Sequence, residues 1–263
     1  MFDRNLKPFL VHQSEIRICV NYLKANRTVK KSVYNVIDRQ AHHKYDLDIV
    51  EEYFKTALPE RVLLNSLFLS VAASYEDFLR GVLKNTILII DRNTNQFDDL
   101  EEKLRNRHMK STGSMIASHA SSPSYLNVNY KKISENIAKC FPGSSNFSLN
   151  LEIVEFVKGI LNLQNFFDFL LLCGFSISYD DLAKTEKVKA HFKKTNTRER
   201  ANEIKVTHVK ILALRNRVAH TGQSTSDLTI QVLEDYLSQI EAVSIGICEF
   251  LYSKIKSKYN LKP

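Results

Sequence analysis

Apolar residues recur at helical spacing along most of this chain, and no stretch shows convincing strand alternation. From Arg61 to Ile90 the positions Val62, Leu63, Leu67, Val71, Phe78, Val82 and Leu83 predict one long helix. Within it, Ala72, Ala73 and Ser74 are small enough to admit a close neighbour. Leu151 to Cys173 is the most apolar run and reads as a central core helix, closed by Gly174. Ile204, Val206, Val209, Ile211, Leu212 and Leu214 predict a further helix, capped by Thr197 or Asn202. A last helix, Leu228 to Tyr259, is expected behind a cap at Ser226 or Asp227.

The remaining segments are weaker. Residues 2–45 are faintly amphipathic, with Val11, Ile16, Ile18, Val20 and Leu23 opposed to Lys24, Arg27, Lys30, Lys31 and Arg39. Phe97 to Arg107 reads as a charged helix and Asn129 to Cys140 as another. Tyr179 to Phe192 reads as one or two short helices. Ser111 to Ser124, rich in Ser and broken by Gly113 and Pro123, is expected to be a long loop. The elements divide into a helical extension, 1–55, packed on a bundle spanning 56–263.

Composition narrows the class. Only seven glycines and five prolines occur in 263 residues, too few for the many turns of a sandwich or barrel. The four cysteines, Cys19, Cys140, Cys173 and Cys248, lie far apart without zinc-type spacing. His42 and His43 are adjacent and diverge on a helix, so no metal site and no cofactor is expected. Ile160 to Cys173 is too short and too polar to span a bilayer, and Met1 to Leu10 lacks an apolar leader core. A reducing, cytoplasmic setting without membrane contact is the expectation. The formal charge of +8 favours polyanions. Basic residues concentrate between Lys103 and Lys132 and between Lys184 and Arg200, the segments expected to meet phosphates.

The predicted helix before residue 215 runs directly into Arg215-Asn216-Arg217-Val218-Ala219-His220-Thr221-Gly222. This ending resembles the Arg…His motif of the HEPN superfamily, in which a polar residue often follows the Arg. Leu67 to Leu83, with Ala72, Ala73, Glu76, Phe78 and Leu79, is similar to the earlier core helix of that family. The nearest types are the RiboL-PSP and MAE HEPN domains of prokaryotic defence and toxin systems. The resemblance covers about residues 60 to 255. It implies an all-α HEPN-type bundle, frequently a homodimer whose motifs meet in one composite site. It also implies a metal-independent endoribonuclease that leaves a 2′,3′-cyclic phosphate and a 5′-hydroxyl. RNA, and an antitoxin or defence-system protein, are the implied partners. By the same analogy Glu76 would orient Arg215 through an ion pair, and Arg217 would contact phosphate or solvent.

The residues suit that chemistry on their own terms. RNA carries its nucleophile, the 2′-hydroxyl, so a protein need only move protons and stabilise a phosphorane. Imidazole titrates near neutrality and suits the proton transfers. Guanidinium stays charged and matches phosphate oxygens with a planar fork. Asn216 and His220 are four residues apart, on one face of a helix. Arg215 and His220 are five apart, about 140° around an ideal helix. They converge only if the helix distorts near Val218 or if a second protomer supplies the partner group. Other assignments also fit. His220 and Gly222 suit an ordinary helix end, Glu76 an ordinary surface acid, and the whole chain a non-catalytic binding or dimerisation module acting as antitoxin, sensor or nucleotide-binding adaptor.

Overall fold

A computed structural model describes residues 1–39, 52, 60–118, 129–194, 196–221 and 228–260. Of the described residues 80% are helical, and none lies in a strand. The helices are α1 (Asp3–Arg39), α2 (Glu60–Asn93), α3 (Glu102–Ala117), α4 (Tyr130–Ala138) and α5 (Leu163–Leu172). They continue with α6 (Tyr179–Leu182), α7 (Glu186–His191), α8 (Thr197–Thr221) and α9 (Ile230–Tyr259). Single 3-10 segments occupy Phe97–Asp99 and Leu151–Phe156.

The centre of the bundle is α2. Its length and apolar composition match those of a membrane-crossing helix, but Phe68, Val71, Tyr75, Leu79, Val82 and Leu83 are buried within the protein. They pack against α1, α8 and α9. From α1, Phe2, Phe9, Ile16, Val20 and Leu23 enter the same core at near-heptad spacing. The N-terminal helix is therefore a layer of the bundle, and its removal would uncover α2.

Specific contacts fix the directions. A Cβ on Gly81 would lie 2.9 Å from Asn5 Nδ2. Gln13 Nε2 donates to Ser74 Oγ at 3.0 Å, and Arg27 reaches Glu60 at 2.8 Å, so α1 runs antiparallel to α2. Against α9 it is antiparallel too: Lys24 pairs with Glu234 at 2.6 Å and Arg17 with Glu241 at 2.8 Å. At its start α8 is tied by Arg200, whose Nε donates to Ala183 O at 3.0 Å. The neighbouring Thr185 lies against Gly246, midway along α9. Only eight residues of sequence separate Thr221 from Ile230, and α8 packs on α9, so the end of α8 lies near the start of α9. One end of the bundle thus gathers the C-terminal half of α1, the start of α2, the end of α8 and the start of α9.

Some boundaries differ from the sequence pattern. The apolar run 151–173 is not one helix. Leu151–Phe156 is 3-10, and α5 begins at Leu163, where Asn162 Oδ1 accepts from Gln164 N at 3.1 Å. A Gly159 in the left-handed region (φ 60°) sits in the break, and its polar neighbours Asn162 and Asn165 serve as caps and carbonyl donors instead of helix surface. The stop at Gly174 (φ 79°) holds: Phe175 N donates to Leu170 O at 2.9 Å. Ser111 and Thr112, expected in a loop, lie buried on α3, which continues to Ala117 because Met115 also reaches the core. Thr229, not Ser226 or Asp227, caps α9, its Oγ1 accepting from Val232 N at 3.2 Å. His42, His43, His119, Gly222, Ser226, Asp227 and the remainder of the Ser-rich stretch lie outside the described residues.

Two histidines are built into the interior. His108 Nε2 accepts from Asn150 N at 2.9 Å, and His208 lies on α8. Burial pushes both imidazoles down to about 4 from an ordinary value near 6.5. Below pH 6.5 the unfolded chain binds protons that the folded chain refuses, so stability is expected to fall between pH 6.5 and 4 and to level off below. His108→Gln keeps an acceptor for Asn150 N without the titration. Urea unfolding across this range is expected to show a shallower pH dependence for the variant than for the parent, and equal slopes would contradict the assignment.

Candidate active site

The motif residues lie on the last turns of α8, and the orientation of that helix is set by one buried contact. Tyr75 Oη lies 3.0 Å from His208 Nε2, with both residues inside the protein. His208 Nδ1 is 2.8 Å from the carbonyl of Ile204, an obligate acceptor. Its proton is therefore on Nδ1, and Nε2 accepts from the Tyr75 hydroxyl. Burial holds the Tyr75 phenol well above its ordinary value, so it stays a donor. Phe9 and Phe78 close the other sides of the Tyr75 ring.

With His208 turned inward, the rest of α8 follows at 100° per residue. Ile204, Thr207, Ile211, Leu214 and Val218 are buried. Val206 and Val209, which the apolar pattern groups with the core, are instead 42% and 57% exposed. Thr207 and His208 take the inner positions, because a buried hydrogen bond outweighs the modest loss from leaving two valines in water. The exposed side of α8 then reads Asn202, Val206, Val209, Ala213, Asn216, His220, at intervals of four, three, four, three and four. That is a second heptad stripe, opposite the core stripe.

Asn216, Arg217 and His220 are exposed, and Arg215 is half-buried at the edge of the core stripe. Arg215 Nη1 donates to Asn216 Oδ1 at 3.3 Å. The helix is regular through Thr221, with no distortion at Val218. Asn216 and His220 therefore share the outer stripe as expected, while Arg215 stays about 140° from His220. Within one chain these two groups do not face each other.

Glu76 has a different partner from the one expected. Its carboxylate pairs with Arg80 at 2.8 Å, and Arg80 also donates to Val154 O at 2.9 Å and approaches Glu155. No ion pair joins Glu76 to Arg215 among the described residues. The physical reason is register: Tyr75 sits beside His208, and Arg215 lies seven residues, about 10 Å, further along α8. Glu76 instead braces Arg80, which ties the 3-10 segment 151–156 to α2. Spacing and composition single out neither His208 nor Tyr75, which the structure joins. The signal that could have found the pair is a His two turns before Arg215, in register with Ile204, Ile211 and Leu214. Among the described residues no group of three or more His, Cys, Asp or Glu side chains is placed to hold a metal ion.

An all-helical bundle with an Arg…His ending on a helix that precedes the last one defines an HEPN-type domain. The family model described as RiboL-PSP-HEPN matches residues 35–253, and the chain belongs to this family. Searches of curated proteins and of solved structures return no match. HEPN domains are generally of RNase type and commonly bind RNA and dimerise.

Tyr75→Phe deletes the hydroxyl and leaves His208 Nε2 buried without a donor. A loss of about 1–3 kcal/mol is expected in urea unfolding, with helical content kept. A variant as stable as the parent would show that this bond does not hold α8 in place.

Proposed function

We propose that this protein is a metal-independent endoribonuclease, acting as a homodimer in the cytoplasm of a prokaryotic toxin–antitoxin or anti-phage system. The observation that carries the enzymatic part is the placement of Asn216 and His220 at the end of an exposed apolar stripe, on the side of α8 opposite the core. Val206, Val209 and Ala213 along that stripe supply an apolar seam. Two copies of such a seam can pack about a two-fold axis, since an isologous contact needs only one self-complementary patch. The same contact brings two Asn216 and two His220 together and lets the Arg215 of one copy approach the His220 of the other. The regular helix at Val218 leaves this as the route by which Arg and His meet.

At the shared site the RNA 2′-hydroxyl attacks the adjacent phosphorus while one His220 accepts its proton. The bond from phosphorus to the 5′-oxygen breaks, and the other His220 protonates that oxygen. Arg215 neutralises the charge of the phosphorane, and Asn216, bonded to Arg215, orients the guanidinium. The products are a 2′,3′-cyclic phosphate and a 5′-hydroxyl. The defence or toxin setting, and an antitoxin or other partner protein covering the site, are supported by the type of family alone.

His220→Ala and Arg215→Ala are each expected to lower RNA cleavage by roughly a hundredfold or more, with fold and dimer kept and EDTA without effect. Full-rate cleavage by His220→Ala would overturn the catalytic assignment, and absence of cleavage by the parent on any RNA would favour a binding module.

Val209→Lys places a charge in the seam, remote from the motif. Light scattering is expected to show a folded monomer, and the cleavage assay a loss of activity. A dimer that survives this substitution would place the contact elsewhere.

A further inference from the structure

The inner stripe of α1 changes character where the core ends. Phe2, Phe9, Gln13, Ile16, Val20 and Leu23 are buried. The next positions at the same spacing are Arg27 and Lys30, flanked by Lys24 and Lys31, all exposed. These four cations precede residue 35, where the family match begins.

Their position relative to the motif follows from contacts already described. Arg27 is at the level of Glu60, the first residue of α2. Tyr75 is fifteen residues, about 22 Å, further along α2, beside His208. From His208, twelve residues of α8, about 18 Å, lead back to His220 at the same end. The basic turns of α1 and the motif thus lie at nearly the same height, on helices that both flank α2. Arg61 and Arg217 belong to the same end. The longest acid-free basic run of the sequence, Lys103 to Lys132, lies elsewhere. Lys103, Arg105 and Lys110 sit on α3, which packs against the 3-10 segment 151–156; there Arg105 pairs with Asp98 and Arg107 donates to Phe156 O.

We infer that the basic turns of α1, Lys24 to Lys31, hold the phosphate backbone of RNA flanking the nucleotide at His220; this rests on the RNA-cleaving reading of the motif. The pairs Lys24–Glu234 (2.6 Å) and Arg27–Glu60 (2.8 Å) are exposed. Exposed pairs of this kind contribute little to stability, so their cations keep an extended posture yet exchange a carboxylate for a phosphate at small cost. The contact is to the backbone and carries no base information. It lengthens the bound RNA on either side of a two-fold site, one α1 per copy.

The test uses the full chain carrying His220→Ala, so that RNA stays intact, and a short fluorescent single-stranded RNA. Fluorescence anisotropy is followed over about 50 to 200 mM salt. With Lys30→Gln and Lys31→Gln together, affinity is expected to fall, and the slope of log affinity against log salt to shrink by roughly 0.7 per removed contact. Lys103→Gln with Lys110→Gln on α3 is expected to change neither. An α1 variant that binds like its parent, an α3 variant that loses as much, or a parent that binds no RNA would each overturn the inference. Failure of the catalytic reading is distinguishable: a parent chain with His220 in place that binds RNA through α1 yet never cuts it leaves this surface standing and removes the nuclease.

Discussion

The hydrogen bond between Tyr75 and His208 sets the geometry on which the site depends. Both groups are buried, so each would incur a desolvation cost if the other were absent. That penalty fixes the rotation of α8 more sharply than apolar packing, which tolerates a helix turned by a fraction of a residue. With His208 inward, Val206, Val209 and Ala213 must face outward, and Asn216 and His220 continue their line. Arg200, holding the start of α8 to the carbonyl of Ala183, prevents the helix from sliding along its axis.

The outward valines follow from this arrangement. Left in water they contribute little to folding. Against a second copy of the same helix they would contribute apolar burial and carry two motifs to one axis. The family to which the chain belongs commonly dimerises and is generally of RNase type. The seam and the motif on one stripe suggest how the two properties are joined here, since catalysis would need groups that one chain holds on different sides of its helix.

Much of the bundle was legible from periodicity. The long apolar spacing of α2 and α9, the stop at Gly174 and the regular run into Arg215 all depend on local rules that tertiary contacts do not overturn. Two features were not legible, for physical reasons. Periodicity scores Val206 and Val209 as core residues because it cannot see that His208 finds a buried partner, Tyr75, far away in the chain. The split of 151–173 leaves no trace in the pattern because apolarity is high on both sides of Gly159, where the backbone turns left-handed between 3-10 and α. On α8, Asn216 and His220 share the face that their four-residue spacing predicts, while the partner of Glu76 is set by the register of α2 against α8, which no local pattern records.

The central claim is that the nuclease site is shared between two chains. Specific activity on RNA, measured over protein concentrations spanning the monomer–dimer transition, tests it most directly. Activity per chain is predicted to rise with the dimer fraction and to vanish in the monomer; constant activity per chain at every concentration would contradict it.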